Sequence, residues 1–159
     1  MDENALSAAG RALAEVLEKQ AFLFADPAEE GEAPDAPLLA ISMRFRGERD
    51  GGLAIAAPLG LAREIAAGFL GCEPDDEMAE AKAGDACKEL LNIACGQTLT
   101  SLFGTGPVFD LGIPESRMLS PAEAEDWTGA PDTAAYSVDG APLFLRASLD
   151  PRDGKAGAG

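Results

Sequence analysis

Glu89 and Asn92 stand three residues apart in Glu89-Leu90-Leu91-Asn92-Ile93-Ala94-Cys95-Gly96-Gln97, inside the longest helical pattern of the chain. At about 100° per residue from Glu89, Asn92 falls at about 300°, Asp85 at about 320° and Gly96 at about 340°, so the four share one narrow strip. The apolar residues Cys87, Leu90, Leu91, Ala94, Cys95 and Leu102 centre at about 170°, which turns the strip toward solvent. A carboxylate and an amide exposed together offer charge and hydrogen bonding to whatever docks there. An ordinary solvated helix face can carry the same pair. Two features point further: Asn is a poor helix former in mid-helix, and Gly96 costs about 1 kcal/mol relative to Ala. A bare patch beside the amide lets another backbone approach closely.

Several chemistries are excluded. The chain has no histidine, so a histidine-containing serine triad around Ser101 cannot form. Cys72, Cys87 and Cys95 show no CxxC spacing and lie among apolar residues, so they read as small buried hydrophobes rather than zinc ligands or disulfides. Gly104-Thr105-Gly106 lacks the preceding strand and following lysine of a phosphate loop. No metal site and no cofactor of the chain's own is expected. Twelve basic against 28 acidic side chains leave a formal charge of -16, which repels nucleic acid and anionic membranes. No apolar run is long enough for a bilayer, and Met1-Asp2-Glu3-Asn4 lacks the basic start of a signal peptide, so a cytoplasmic protein is expected.

The elements that must hold the strip follow from periodicity. With 159 residues, 47% hydrophobic and 25% charged, the chain fits one domain over residues 1–150 with a loose tail at 151–159. A first helix spans residues 5–20, and Ala21-Phe22-Leu23-Phe24 suits a brief strand ended by Asp26-Pro27. An acidic, Pro-rich loop runs to about Pro37. Leu39, Ile41, Met43 and Phe45, then Leu53, Ile55 and Ala57, make a hairpin around a Gly-rich turn. Leu61, Ile65, Phe69 and Leu70 form a second helix closed by Gly71. The long helix runs from about Asp76 to Phe103 and stops at Gly104-Thr105-Gly106-Pro107. A strand follows near Val108 to Ile113, then a short helix capped by Ser120 with Pro121 and Glu123, with Trp127 as a loop anchor. A hairpin, Ala134 to Val138 and Pro142 to Leu149, turns on Asp139-Gly140. The order of helix, three strands and helix, then helix and three strands again, reads as a degenerate duplication or as two halves alike in pattern alone.

The motif Glu89 to Gln97 resembles the ExxN signature, followed by a small residue and glycine, of the CheC/CheX/FliY chemotaxis phosphatases. Phe45-Arg46-Gly47, Leu53 to Leu70 with Pro58, and Gly112-Ile113-Pro114 extend the resemblance over most of residues 5–149. With one motif, in the second half, the chain is most similar to CheX; Glu15-Val16-Leu17-Glu18 in the first helix lacks the Asn. The resemblance implies an α/β (α+β) CheC-like fold, with two pseudo-duplicated halves forming a sheet covered by helices.

It also implies a reaction: dephosphorylation of the phospho-aspartate of a CheY-like response regulator. Asn92 would orient the attacking water, and Glu89 would pair with the lysine that response regulators keep beside the phosphate. Asp85 and Gly96 would meet the partner. The Mg²⁺ would belong to the partner, and two copies of the chain would dimerise through sheet edges, one offered by the terminal hairpin. Response regulators present acidic phosphorylation sites, so a charge of -16 repels them at long range. Two rivals share the fold: an adaptor that grips a regulator without hydrolysis, and a flagellar-switch-like structural subunit.

Overall fold

The computed structural model describes residues 3–28 and 36–151. In chain order the elements are α1 (Glu3–Val16) running into a π-helical turn (Leu17–Ala21), β1 (Ala25–Ala28), β2 (Leu38–Arg46), β3 (Gly51–Pro58), α2 (Leu59–Leu70) and α3 (Glu77–Phe103). They continue with β4 (Asp110–Leu111), β5 (Glu115–Met118), α4 (Pro121–Gly129), β6 (Ala134–Val138) and β7 (Ala141–Leu149). Most of the expected acidic loop before Pro37, and all of the tail after Pro151, lie outside the described residues.

All strand pairs are antiparallel, in one seven-stranded sheet of order β1-β6-β7-β3-β2-β4, with β5 also against β2. The order is symmetric about the central β3–β7 pair. On each side a hairpin partner follows, and then the first strands of the opposite half of the chain. The two halves therefore exchange strands, which is how a duplicated pattern becomes one closed core.

Strand pleating gives the sheet two faces. Ile41, Met43 and Phe45 of β2, Leu53 and Ile55 of β3, and Leu143 and Leu145 of β7 point into the large core beneath α1, α2 and α3. Leu38, Ala40, Ala56 and Phe144 point the other way, where Leu119 and Trp127 cover them. Central β3 is buried on both faces, and its small residues let both layers come close.

The strand expected at residues 21–24 is displaced. Ala21 ends the π-helical turn, Phe22 is left-handed at φ 60°, and the strand starts at Ala25 and includes Asp26 and Pro27. Because β1 is an edge strand, the missing N–H of Pro27 is tolerated there. Trp127 lies within α4 rather than in a loop, with the Arg146 guanidinium 4.2 Å over its ring. The terminal hairpin offers no free edge, since β1 pairs along β6 from Ala25↔Val138 to Ala28↔Ala135. The unpaired edges among the described residues belong to β1 and to the β4–β5 side.

Candidate functional site

The site is built on α3, whose ends are set locally. The Asp76 carboxylate accepts from the Met78 N–H at 2.8 Å, and Gly104, at φ 80°, closes the last turn by donating to the Thr100 carbonyl at 2.8 Å. Ala79, Ala83, Ala86, Leu90, Leu91, Ala94 and Cys95 are buried against α1, α2 and the sheet. Thr98, also buried, satisfies its hydroxyl on the Ala94 carbonyl at 2.6 Å. A helix packed so widely leaves one outward strip. Asp85 and Glu89 on it are exposed, and Asn92 and Gly96 are half-buried.

Opposite the strip stands a bulged wall. The β2–β4 register (Phe45↔Leu111) and the β2–β5 register (Leu39↔Met118) differ by one residue, so Gly112-Ile113-Pro114 carries one extra residue as a bulge between two consecutive strands. Three contacts pin it. The Gly112 N–H donates to the Arg44 carbonyl at 2.7 Å, and the Phe109 ring packs edge-on against Phe45 at 6.0 Å and tilted against Phe103 at 5.3 Å. Gly47 allows this approach, because a Cβ there would stand 2.8 Å from the Phe109 ring and 2.9 Å from the Val108 carbonyl. Phe45, Gly47 and Gly112, three of the residues that carry the resemblance, thus meet at the base of one wall.

Asp85, Lys88, Glu89 and Asn92 line a shallow cleft together with Gly112, Ile113 and Pro114. Ile113, 87% exposed, gives the cleft an apolar rim beside the charged helix face. Gly96 does not line this cleft. It sits one turn on, in the adjoining depressions formed with Leu99, Thr100, Pro107 and Phe109 on one side and with Glu15, Ile93 and Gln97 on the other. A Cβ added at Gly96 would meet nothing within 4 Å, so nothing in the chain's own packing requires a glycine there.

Lys88 is the part of the site that sequence reasoning missed, and the resemblance includes Gly112-Ile113-Pro114 without giving that segment a place in the site. Lys88 precedes Glu89 directly and falls beside the strip at about 260° on the same projection, a signal that was available. The wall depends on a bulge between distant segments, for which periodicity gives no sign.

Among the described residues no group of three or more His, Cys, Asp or Glu side chains is arranged to hold a metal ion, and no helix is long and apolar enough to cross a membrane. Cys87 and Cys95 are buried, and burial pushes each thiol up to about 12. Neither is a nucleophile at neutral pH. In α1, Glu15 pairs with Lys19 at 3.2 Å and Glu18 is exposed, so the Glu15–Glu18 segment holds no amide beside its carboxylates.

The family model described as chemotaxis phosphatase CheX matches residues 39–133. Among solved structures, the chemotaxis protein CheX of Desulfovibrio desulfuricans is similar at 15% identity over 92% of this chain and 99% of that one, with a TM-score of 0.67. A CheC-like superfamily protein from Shewanella sp. PV-4 is similar at 17% identity over 95% and 100%, with a TM-score of 0.68. The CheX–CheY–BeF3–Mg²⁺ complex from Borrelia burgdorferi is similar at 16% identity over 92% and 98%, with a TM-score of 0.66. Among curated proteins, none matches the sequence.

Proposed function

This chain belongs to the CheX family of chemotaxis phosphatases, and from that premise we propose that it hydrolyses the phospho-aspartate of a CheY-like response regulator through Glu89 and Asn92. The observation that carries the reading is the cleft itself, where an exposed carboxylate and an amide one turn apart face an apolar rim. The complex of the Borrelia relative with CheY, beryllofluoride and Mg²⁺ supports a receiver as the partner.

An acyl phosphate is already activated, and water is the only reactant to be added. The Asn92 side-chain carbonyl accepts from the water O–H and holds its oxygen in line with the scissile bond. As the water oxygen bonds to phosphorus, the bond from phosphorus to the aspartyl oxygen breaks. Inorganic phosphate leaves, and the aspartate is restored as a carboxylate. Glu89 pairs with the lysine beside the partner's phosphate and anchors α3 over it. Asp85 meets the partner on the same strip, and bare Gly96 lets the partner's backbone come close. The Mg²⁺ that neutralises phosphoryl charge comes with the partner. A hundredfold acceleration needs about 2.7 kcal/mol, well inside the roughly 7 to 11 kcal/mol that orientation supplies in favourable cases. No histidine or metal of this chain's own is required. Two copies join through one of the free edges, β1 or β4–β5, and sedimentation tests that.

The test is the decay of a receiver phosphorylated with acetyl phosphate, followed with and without this protein. Phosphate loss accelerated about a hundredfold is expected. An unchanged rate with demonstrable binding would mean an adaptor instead.

A further inference from the structure

The cleft contains a cation that the mechanism above does not use. Lys88 is half-buried and lines the same cleft as Asp85, Glu89, Asn92 and Ile113. The ion pairs among the described residues engage Lys19, Arg44, Arg63, Arg117 and Arg146. Lys88 is in none of them, although Asp85 is three residues before it on the same helix. Arg11, Arg46, Arg49 and Lys82 form no ion pair either among the described residues, but of these five cations it is Lys88 that lines the cleft. A lysine normally lays its stem on apolar surface and keeps its head in water. Lys88 lines the cleft together with Gly112, Ile113 and Pro114, so its charge lies at the site that a partner would cover.

We propose that Lys88 is a positioning residue that docks an anionic group of the phosphorylated partner. The inference rests on the phosphatase reading and adds the determinant of partner fit: the cleft carries crossed charges, with Glu89 taking the partner's cation and Lys88 its anion. Such an arrangement fixes orientation, because a partner turned around would bring like charges together. It also answers the electrostatic difficulty of the pair. At a formal charge of -16 the protein repels an acidic receiver at long range. One cation at the contact supplies local attraction where the phosphate must be set. The anion is either a phosphoryl oxygen or a carboxylate beside it, and both offer an ionised oxygen acceptor to the ammonium.

The experiment compares wild type, Lys88→Gln and Lys88→Arg as phosphatases on an acetyl-phosphate-labelled receiver at low and high ionic strength, with thermal melts to establish folding. Lys88→Gln should raise KM about fivefold at low salt, leave kcat within about twofold, and lose its penalty at high salt, while Lys88→Arg restores the wild-type KM. Comparing variants at one salt concentration cancels the global repulsion, which all share apart from one charge. Binding to phosphorylated and unphosphorylated receiver identifies the anion. A loss confined to the phosphorylated form assigns the phosphoryl group, and an equal loss in both assigns a carboxylate. Unchanged KM and salt slope in Lys88→Gln, with active wild type, would overturn the role of Lys88 alone. Inactive wild type would overturn the phosphatase reading beneath it.

Discussion

The amide of Gly112 and the carbonyl of Arg44, 2.7 Å apart, join the bulged wall of the cleft to strand β2, so the distance from Ile113 to Glu89 and Asn92 is set by the sheet rather than by a free loop. A Cβ at Gly112 would stand 3.0 Å from that carbonyl. Gly112→Val should therefore displace the wall, costing about 1–2 kcal/mol of stability and a larger share of phosphatase activity. Denaturant melts and phosphate-release rates check this. Full activity at full stability would mean that the wall takes no part in the site.

Gly10 of α1 faces the Tyr136 hydroxyl, and a Cβ there would overlap it. Through this contact Gly10→Ala should cost about 1–2 kcal/mol, and because Ala is the better helix former by about 1 kcal/mol the net loss should be under about 1 kcal/mol. Adding Tyr136→Phe removes the obstructing oxygen and should recover more than half of the loss. A double-mutant cycle by urea melts measures the coupling, and strictly additive losses would contradict the contact.

Glu64 of α2 has its carboxyl held above the usual range by burial, and then by the Asp139 carboxylate in the β6–β7 turn, to which it hydrogen-bonds. A raised folded-state value means that the folded protein binds this proton more tightly than the unfolded chain does. Its stabilising contribution is fully present below the ordinary carboxylate range and is lost as pH rises through the raised value. Glu64→Gln should therefore flatten the gain in stability on acidification from pH 7 toward that range. Glu123 runs oppositely: the Arg117 guanidinium and the Ser120 backbone N–H lower it to about 2, so its contribution is present above the ordinary range and fades as pH falls through about 2. Urea midpoints across pH for wild type and Glu64→Gln test the first sign, and identical pH slopes would contradict it.

The buried thiols of Cys87 and Cys95, each pushed up to about 12, should resist iodoacetamide in the native state, while half-buried Cys72 labels first. Mass spectrometry after timed labelling decides this. Native labelling of Cys95 at the rate of Cys72 would mean that α3 opens locally.

Much of this architecture was legible because its signals are local. Asp76, the Gly104–Pro107 stop and the 3.6-residue period define α3, Ser120 with Glu123 forms the capping box of α4, and Asp139-Gly140 makes the tight turn with both residues at positive φ. What escaped depends on tertiary partners. Edge strand β5 is Glu115-Ser116-Arg117-Met118, exposed throughout, so no alternation betrays it. Pro27 reads as a strand breaker until β1 proves to be an edge, and Phe22 and Phe24 lie exposed where apolar runs read as strand. The strip with Asp85, Glu89, Asn92 and Gly96 was readable from helical geometry. The wall facing it, and with it the cleft that Lys88 lines, required knowing which strand lies beside β2.

The central claim concerns the side-chain amide of Asn92, and Asn92→Ala measures it most directly. Asn92 is half-buried on the outer strip, so the change should cost under about 1 kcal/mol of stability. The kcat for phosphate loss from the labelled receiver, taken under saturating conditions, should fall about a hundredfold while the KM stays near wild type, as loss of an interaction made in the transition state requires. A kcat equal to that of wild type in a correctly folded Asn92→Ala protein would contradict the account.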